Sequence, residues 1–67
     1  MRYRLEFFVS ATEELPLFDL QSVEFEVDSP EKANAMMDFF KIHGIKTRNM
    51  FRIDAPGVEV LVNDGTL

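Results

Sequence analysis

The chain has 67 residues, a formal net charge of -5 at pH 7 and no cysteine. That length makes one small domain, near the size at which a single core is marginal and a partner or a second copy helps stability. The missing thiols exclude disulfides, thiolate metal sites and cysteine nucleophiles, and they fit a reducing cytoplasm.

Residues 2–9 alternate as a strand, with Tyr3, Leu5, Phe7 and Val9 on one face and Arg2, Arg4, Glu6 and Phe8 on the other. Glu6 interrupts an apolar run already too short for a signal peptide, and no stretch is long enough for a transmembrane span. Residues 10–19 read as a loop, because Pro16 and the Thr12, Glu13, Glu14 cluster break the strand period. The loop nonetheless holds Leu15, Leu17 and Phe18. These three either fold back as a lid on the core or stand exposed for a partner.

Residues 20–27 read as a second strand, with Val23, Phe25 and Val27 inward and Ser22, Glu24 and Glu26 outward. A helix is expected over residues 29–43: Ser29 caps it, Pro30 fits its first turn and Gly44 takes the left-handed position beyond its end. At about 100° per residue, Ala33, Met36, Met37 and Phe40 form one apolar stripe, and Ala35, Phe39 and Ile42 form another beside it. Asn34, Asp38 and Lys41 mark the wet face. If a sheet covers the first stripe, the second is covered by a loop or a second chain, or it is an interaction site.

Residues 45–53 are the third strand, with Ile45, Phe51 and Ile53 expected on the apolar face and Lys46, Arg48, Met50 and Arg52 on the other. Thr47 and Asn49 share the apolar register, which a bulge or a short bend near Asn49 would accommodate. Asp54-Ala55-Pro56-Gly57 is a turn, residues 58–62 return as a fourth strand, and residues 63–67 form a frayed tail. The order ββαββ gives an α+β fold, a mostly antiparallel sheet with one helix on one face. Strand order 2-1-3-4 makes every neighbour antiparallel, whereas 1-2-3-4 would pair the second and third strands in parallel. That element order is shared by too many unrelated proteins to name a family.

Charge is unevenly distributed. Glu13, Glu14, Asp19, Glu24, Glu26, Asp28 and Glu31 run without a basic residue, and Lys41, Lys46, Arg48 and Arg52 then follow with no acid among them. The open sheet face is expected to hold Arg2, Arg4, Lys46, Arg48 and Arg52 with Glu24 and Glu26, beside Phe8, Met50 and Leu61. Such a face is either a solvated salt lattice or a binding platform. In residue types it resembles a sheet that binds single-stranded nucleic acid, but one phenylalanine beside an acidic strand is less than such sheets use. The acidic run alternatively imitates phosphates.

Catalytic chemistry has little support. His43 is the only histidine, and its place at the helix C-terminus is accounted for by the helix dipole; Asp28 and Glu31 are likewise accounted for by the N-terminus. There is no phosphate loop, nucleophile elbow or zinc spacing, and no cofactor is implied. The sequence therefore points to a non-enzymatic protein-binding module, a small inhibitor or adaptor, with Leu15, Leu17, Phe18, Phe39 and Ile42 as its partner surface. A nucleic-acid-binding protein, an acidic nucleic-acid mimic and a small structural homodimer are the alternatives.

Overall fold

A computed structural model describes residues 1–10 and 18–65, with the side chains of Ser10 and Phe18 left aside. Its elements are β1 (Arg2–Ser10), β2 (Phe18–Glu26), α1 (Pro30–Ile42), β3 (Thr47–Ala55) and β4 (Val58–Asn63). They form an α+β fold with a four-stranded antiparallel sheet in the order β2-β1-β3-β4. This is the 2-1-3-4 order that makes all neighbours antiparallel. The first hairpin is longer than its sequence implies: Ser10 and Val9 pair with Phe18 and Asp19, inside the stretch read as loop. Leu15 and Leu17 lie outside the described residues, and with them the choice between a lid on the core and an exposed partner surface.

The helix forms where its caps are. Ser29 is extended (φ -154°, ψ 154°) and its Oγ accepts a bond from the Lys32 amide at 3.3 Å; Pro30 opens the first turn. Gly44, at φ 79°, takes the left-handed turn that ends the helix. Ala33 and Met37 are fully covered by the sheet, and with Tyr3, Leu5 and Met50 they make the core. Val23, Phe25, Val27 and Phe40 pack around it, with Phe7 and Phe40 edge to face at 5.2 Å.

Strand β3 departs from simple alternation. Leu5 pairs with Met50 but Phe7 pairs with Thr47, so β3 holds an extra residue in the stretch that contains Asn49. This bulge reverses the phase that follows it. Thr47 faces the helix beside Phe7, yet beyond the bulge it is Met50 and Arg52 that face the helix, opposite Leu5 and Tyr3. Phe51 and Ile53, expected inside, are on the open face opposite Arg4 and Arg2; Met50 and Arg52, expected outside, are beneath the helix. Met50 is 1% exposed.

The chain after β4 is tied down as far as it is described, rather than frayed. Asn63 belongs to β4, donates to Asn34 Oδ1 at 3.2 Å, and accepts from the Gly65 amide at 2.8 Å. Lys41 Nζ donates to the Gly65 carbonyl at 3.4 Å. The helix flank expected to be wet, Asn34 and Lys41, thus reaches over the end of β4. No helix among the described residues is long and apolar enough to cross a membrane.

Candidate protein-binding surfaces

The outer side of α1 is one candidate. Turning Ala33 and Met37 into the core sends Ala35, Phe39 and Ile42 to the opposite side by helical geometry. Phe39 is 56% exposed and Ile42 81% exposed, with the His43 ring 4.5 Å from that of Phe39. Apolar residues at i, i+4 and i+7 along one helix face are the anchors by which an amphipathic helix enters a groove. Glu31 and Asp38 lie on one flank of the stripe and Lys32 on the other. Lys32 bonds Asp28 at 2.9 Å. Phe18 starts β2, on the far side of a segment outside the described residues, so Phe39 and Ile42 are the part of the expected partner surface that is in view.

The open face of the sheet is the second candidate, and Arg4 is its centre. Arg4 Nε donates to Glu59 Oε1 at 2.6 Å and Nη2 to Oε2 at 3.1 Å, a two-pronged pair across β3. Its Nη1 is 3.5 Å from Glu6, and its guanidinium lies 4.6 Å from the centre of the Phe51 ring. The hydrogen bonds from Arg4 hold the Glu59 carboxyl below the ordinary range for a glutamate. Around this centre Arg2 sits opposite Glu26 and Arg4 opposite Glu24 on β2, so acidic and basic strands meet residue for residue. Lys46 Nζ is 5.8 Å from the centre of the Phe8 ring.

Arg52, counted with this face from the sequence, is not on it. The bulge places it on the helix side, where Nε bonds Asp54 Oδ1 at 2.6 Å and thereby lowers the Asp54 carboxyl from its ordinary value. Arg48 is exposed within the bulge. The face gains Phe51 and Ile53 in exchange for Met50 and Arg52. A shallow groove of about 470 Å³ opens at one end of it, lined by Arg2, Glu24, Ile53, Pro56 and Glu59 among others. Two carboxylates and one guanidinium around aliphatic walls suit a polar contact; no nucleophile with a base lines the groove. Among the described residues, no group of three or more histidine, aspartate or glutamate side chains is placed to hold a metal ion.

A third surface was not singled out from sequence. Strand β4 stands at the sheet edge with Val58, Val60, Leu61 and Val62 between 38% and 53% exposed. The signal was present in Val-Glu-Val-Leu-Val, a largely apolar strand without a basic residue or proline that ends the sheet in the expected 2-1-3-4 order, but alternation alone does not say how much of it stays exposed. Comparison with protein-family models, curated proteins and solved structures finds no match to this chain.

Proposed function

We infer that this domain is a non-enzymatic protein-binding module, an inhibitor or adaptor that acts by seating the outer stripe of α1 in an apolar groove on a larger protein. The observation that supports this reading is the exposure of Phe39 and Ile42 on a helix capped at both ends and anchored on its other side by Ala33 and Met37. Phenylalanine and isoleucine cost free energy when left in water, up to about 1.5–3 kcal/mol each between full exposure and full burial. A partner that covers them recovers most of that. Glu31 and Asp38 beside the stripe favour a groove with a basic rim on that flank. The absence of cysteine in the sequence suits a cytoplasmic partner.

The deciding experiment is affinity capture from the native host, followed by mass spectrometry, with wild type and Phe39→Glu run side by side. A partner held by wild type and lost from a folded Phe39→Glu supports the stripe; a partner held equally by both removes it.

Nucleic-acid binding through the open face is the second reading, and one observation favours it: Phe51 joins Phe8 there, so the face carries two rings rather than one, although Arg4 already lies over that of Phe51. The charges argue the other way. Arg4 is engaged by Glu59 and Glu6, and Glu24 and Glu26 stand across from Arg4 and Arg2, which leaves little positive field for a phosphate backbone.

A further inference from the structure

The two edges of the sheet are built differently. Strand β2 carries Asp19, Glu24 and Glu26 along one edge, a charged guard against pairing with another acidic chain. Strand β4, on the other edge, has no lysine, arginine or proline, and its outer side pairs with no strand among the described residues. Its single acid, Glu59, is matched by the two-pronged bond from Arg4. Register shifts flank the middle of β4, between Met50 and Phe51 and between Ile53 and Ala55 on β3, and leave Glu59, Val60 and Leu61 in regular pairing with Ile53, Arg52 and Phe51. The regular and exposed part of this edge is therefore centred on Val60, and its one charge, Glu59, is already paired with Arg4.

We propose that β4 pairs antiparallel with β4 of a second copy of this chain, about a two-fold axis at Val60, to give one eight-stranded sheet. Two considerations select a second copy as the occupant. A two-fold register at Val60 sets Val60 against Val60 on the helix side and Glu59 against Leu61 on the open side, so no like charges meet; a register at Glu59 would oppose the two carboxylates. The pairing also closes. Joining β4 to β4 leaves the acid-guarded β2 edges at both ends, whereas joining β4 to β2 of another copy leaves a free edge at each end and brings Asp19, Glu24 and Glu26 toward Glu59. The length of the edge sets the strength: six residues at about 3.4 Å each span about 20 Å, which gives a contact below the roughly 800 Å² per partner of a standard interface. The dimer is consequently reversible and rises with concentration. Because each copy carries a net charge of -5, added salt favours it. This association uses the sheet edge, leaves Phe39 free, and does not depend on the helix stripe having a partner.

The chain has no cysteine, so single introduced cysteines report the geometry without background. Directly opposed residues of an antiparallel pair have Cα atoms about 4.5–5.5 Å apart, inside the range a disulfide bridges. Under oxidised glutathione, Val60→Cys is expected to form a covalent dimer much faster than Val58→Cys, which is far from the axis, or Leu20→Cys, which is on β2. In sedimentation equilibrium the wild type is expected to show a monomer–dimer equilibrium up to millimolar concentration, and Val60→Lys to be a folded monomer over the same range, its fold checked by circular dichroism. A wild type that stays monomeric overturns the proposal. So does Leu20→Cys cross-linking as readily as Val60→Cys, or a folded Val60→Lys that dimerises like wild type.

Discussion

Met50 and Phe51 are neighbours whose sides are decided by the bulge in β3, so exchanging each for glutamate tests the fold at its least obvious point. Met50 is 1% exposed among Leu5, Ala33 and Met37. Met50→Glu loses a buried side chain worth about 1.5–3 kcal/mol and leaves an uncompensated charge in the core at about 3–5 kcal/mol more. A domain of this size has roughly 3–10 kcal/mol of stability in all, so the variant is expected to have no cooperative unfolding transition. Phe51→Glu places its carboxylate on the open face beside Arg4. It loses a half-buried ring and a cation–π contact of about 0.5–1 kcal/mol, offset in part by attraction to the guanidinium. A net cost of about 1–2 kcal/mol corresponds to a melting temperature lower by roughly 4–16 °C in a chain this short. Far-UV circular dichroism during heating and in urea reads both variants. Strict alternation through β3 predicts the reverse ranking. A folded Met50→Glu with an unfolded Phe51→Glu would refute the bulge and the arrangement of the open face with it.

Phe39→Glu should melt within a few degrees of wild type while partner capture is lost, since the new charge is solvated in the free protein and desolvated in a dry interface; unfolding of the variant in circular dichroism would count against an exposed stripe. Glu59, held below its ordinary range by Arg4, contributes stability that is complete above the ordinary glutamate range and is lost as pH falls through its lowered value. The urea midpoint should therefore drop between pH 7 and pH 3 by less in Glu59→Gln than in wild type, and equal drops would contradict the role of the Arg4 pair. Gly65→Ala should cost more than Gly57→Ala: both glycines have positive φ, but a Cβ at Gly65 would stand 2.5 Å from the Arg48 carbonyl, whereas at Gly57 it meets nothing within 4 Å. Single-stranded DNA or RNA should bind no tighter than the weak non-specific range near physiological salt, and a micromolar complex lost in Arg4→Glu would promote the open sheet face to the functional surface.

The helix was legible because its ends are written in residues whose conformations are narrow: Ser29, Pro30 and Gly44 leave few alternatives. The sheet order followed from the antiparallel requirement. The side-chain phase of β3 was harder to read, since a bulge adds one residue without changing the composition of the strand. Thr47 and Asn49 in an apolar register marked its place, but its effect on Met50, Phe51, Arg52 and Ile53 depends on which way the count resumes. The exposed side of the helix could be read, since helical spacing separates Phe39 and Ile42 from Met37. The edge position of β4 was implicit in the strand order, but the exposure of its apolar side chains was not, because an exposed Val60 and a buried one look alike in the local pattern.

One helix over four strands explains why apolar surface remains in two places. A helix is about 10–12 Å across with its side chains, and four strands about 4.8 Å apart span about 14 Å between the outer two. Centred over Leu5 on β1 and Met50 on β3, α1 covers the middle of the sheet and leaves Val60 and Val62 on the β4 margin, and Val9 near the far end of β1, in contact with water. Its own outer side, with Phe39 and Ile42, has no second layer above it. The stripe and the edge are thus separate consequences of the same shortage of chain, and they lie on different elements that point in different directions. Substitutions in the two should therefore be independent: Phe39→Glu should leave the dimerisation constant of wild type unchanged, and Val60→Lys should leave the affinity of one stripe for one partner molecule unchanged. What Val60→Lys should lose is avidity, since a dimer presents two stripes on one face of a continuous sheet and binds a surface-immobilised partner through both. Equal retention of wild type and Val60→Lys on a densely coated surface, at concentrations where the wild type is dimeric, would show that the edge and the stripe do not work together.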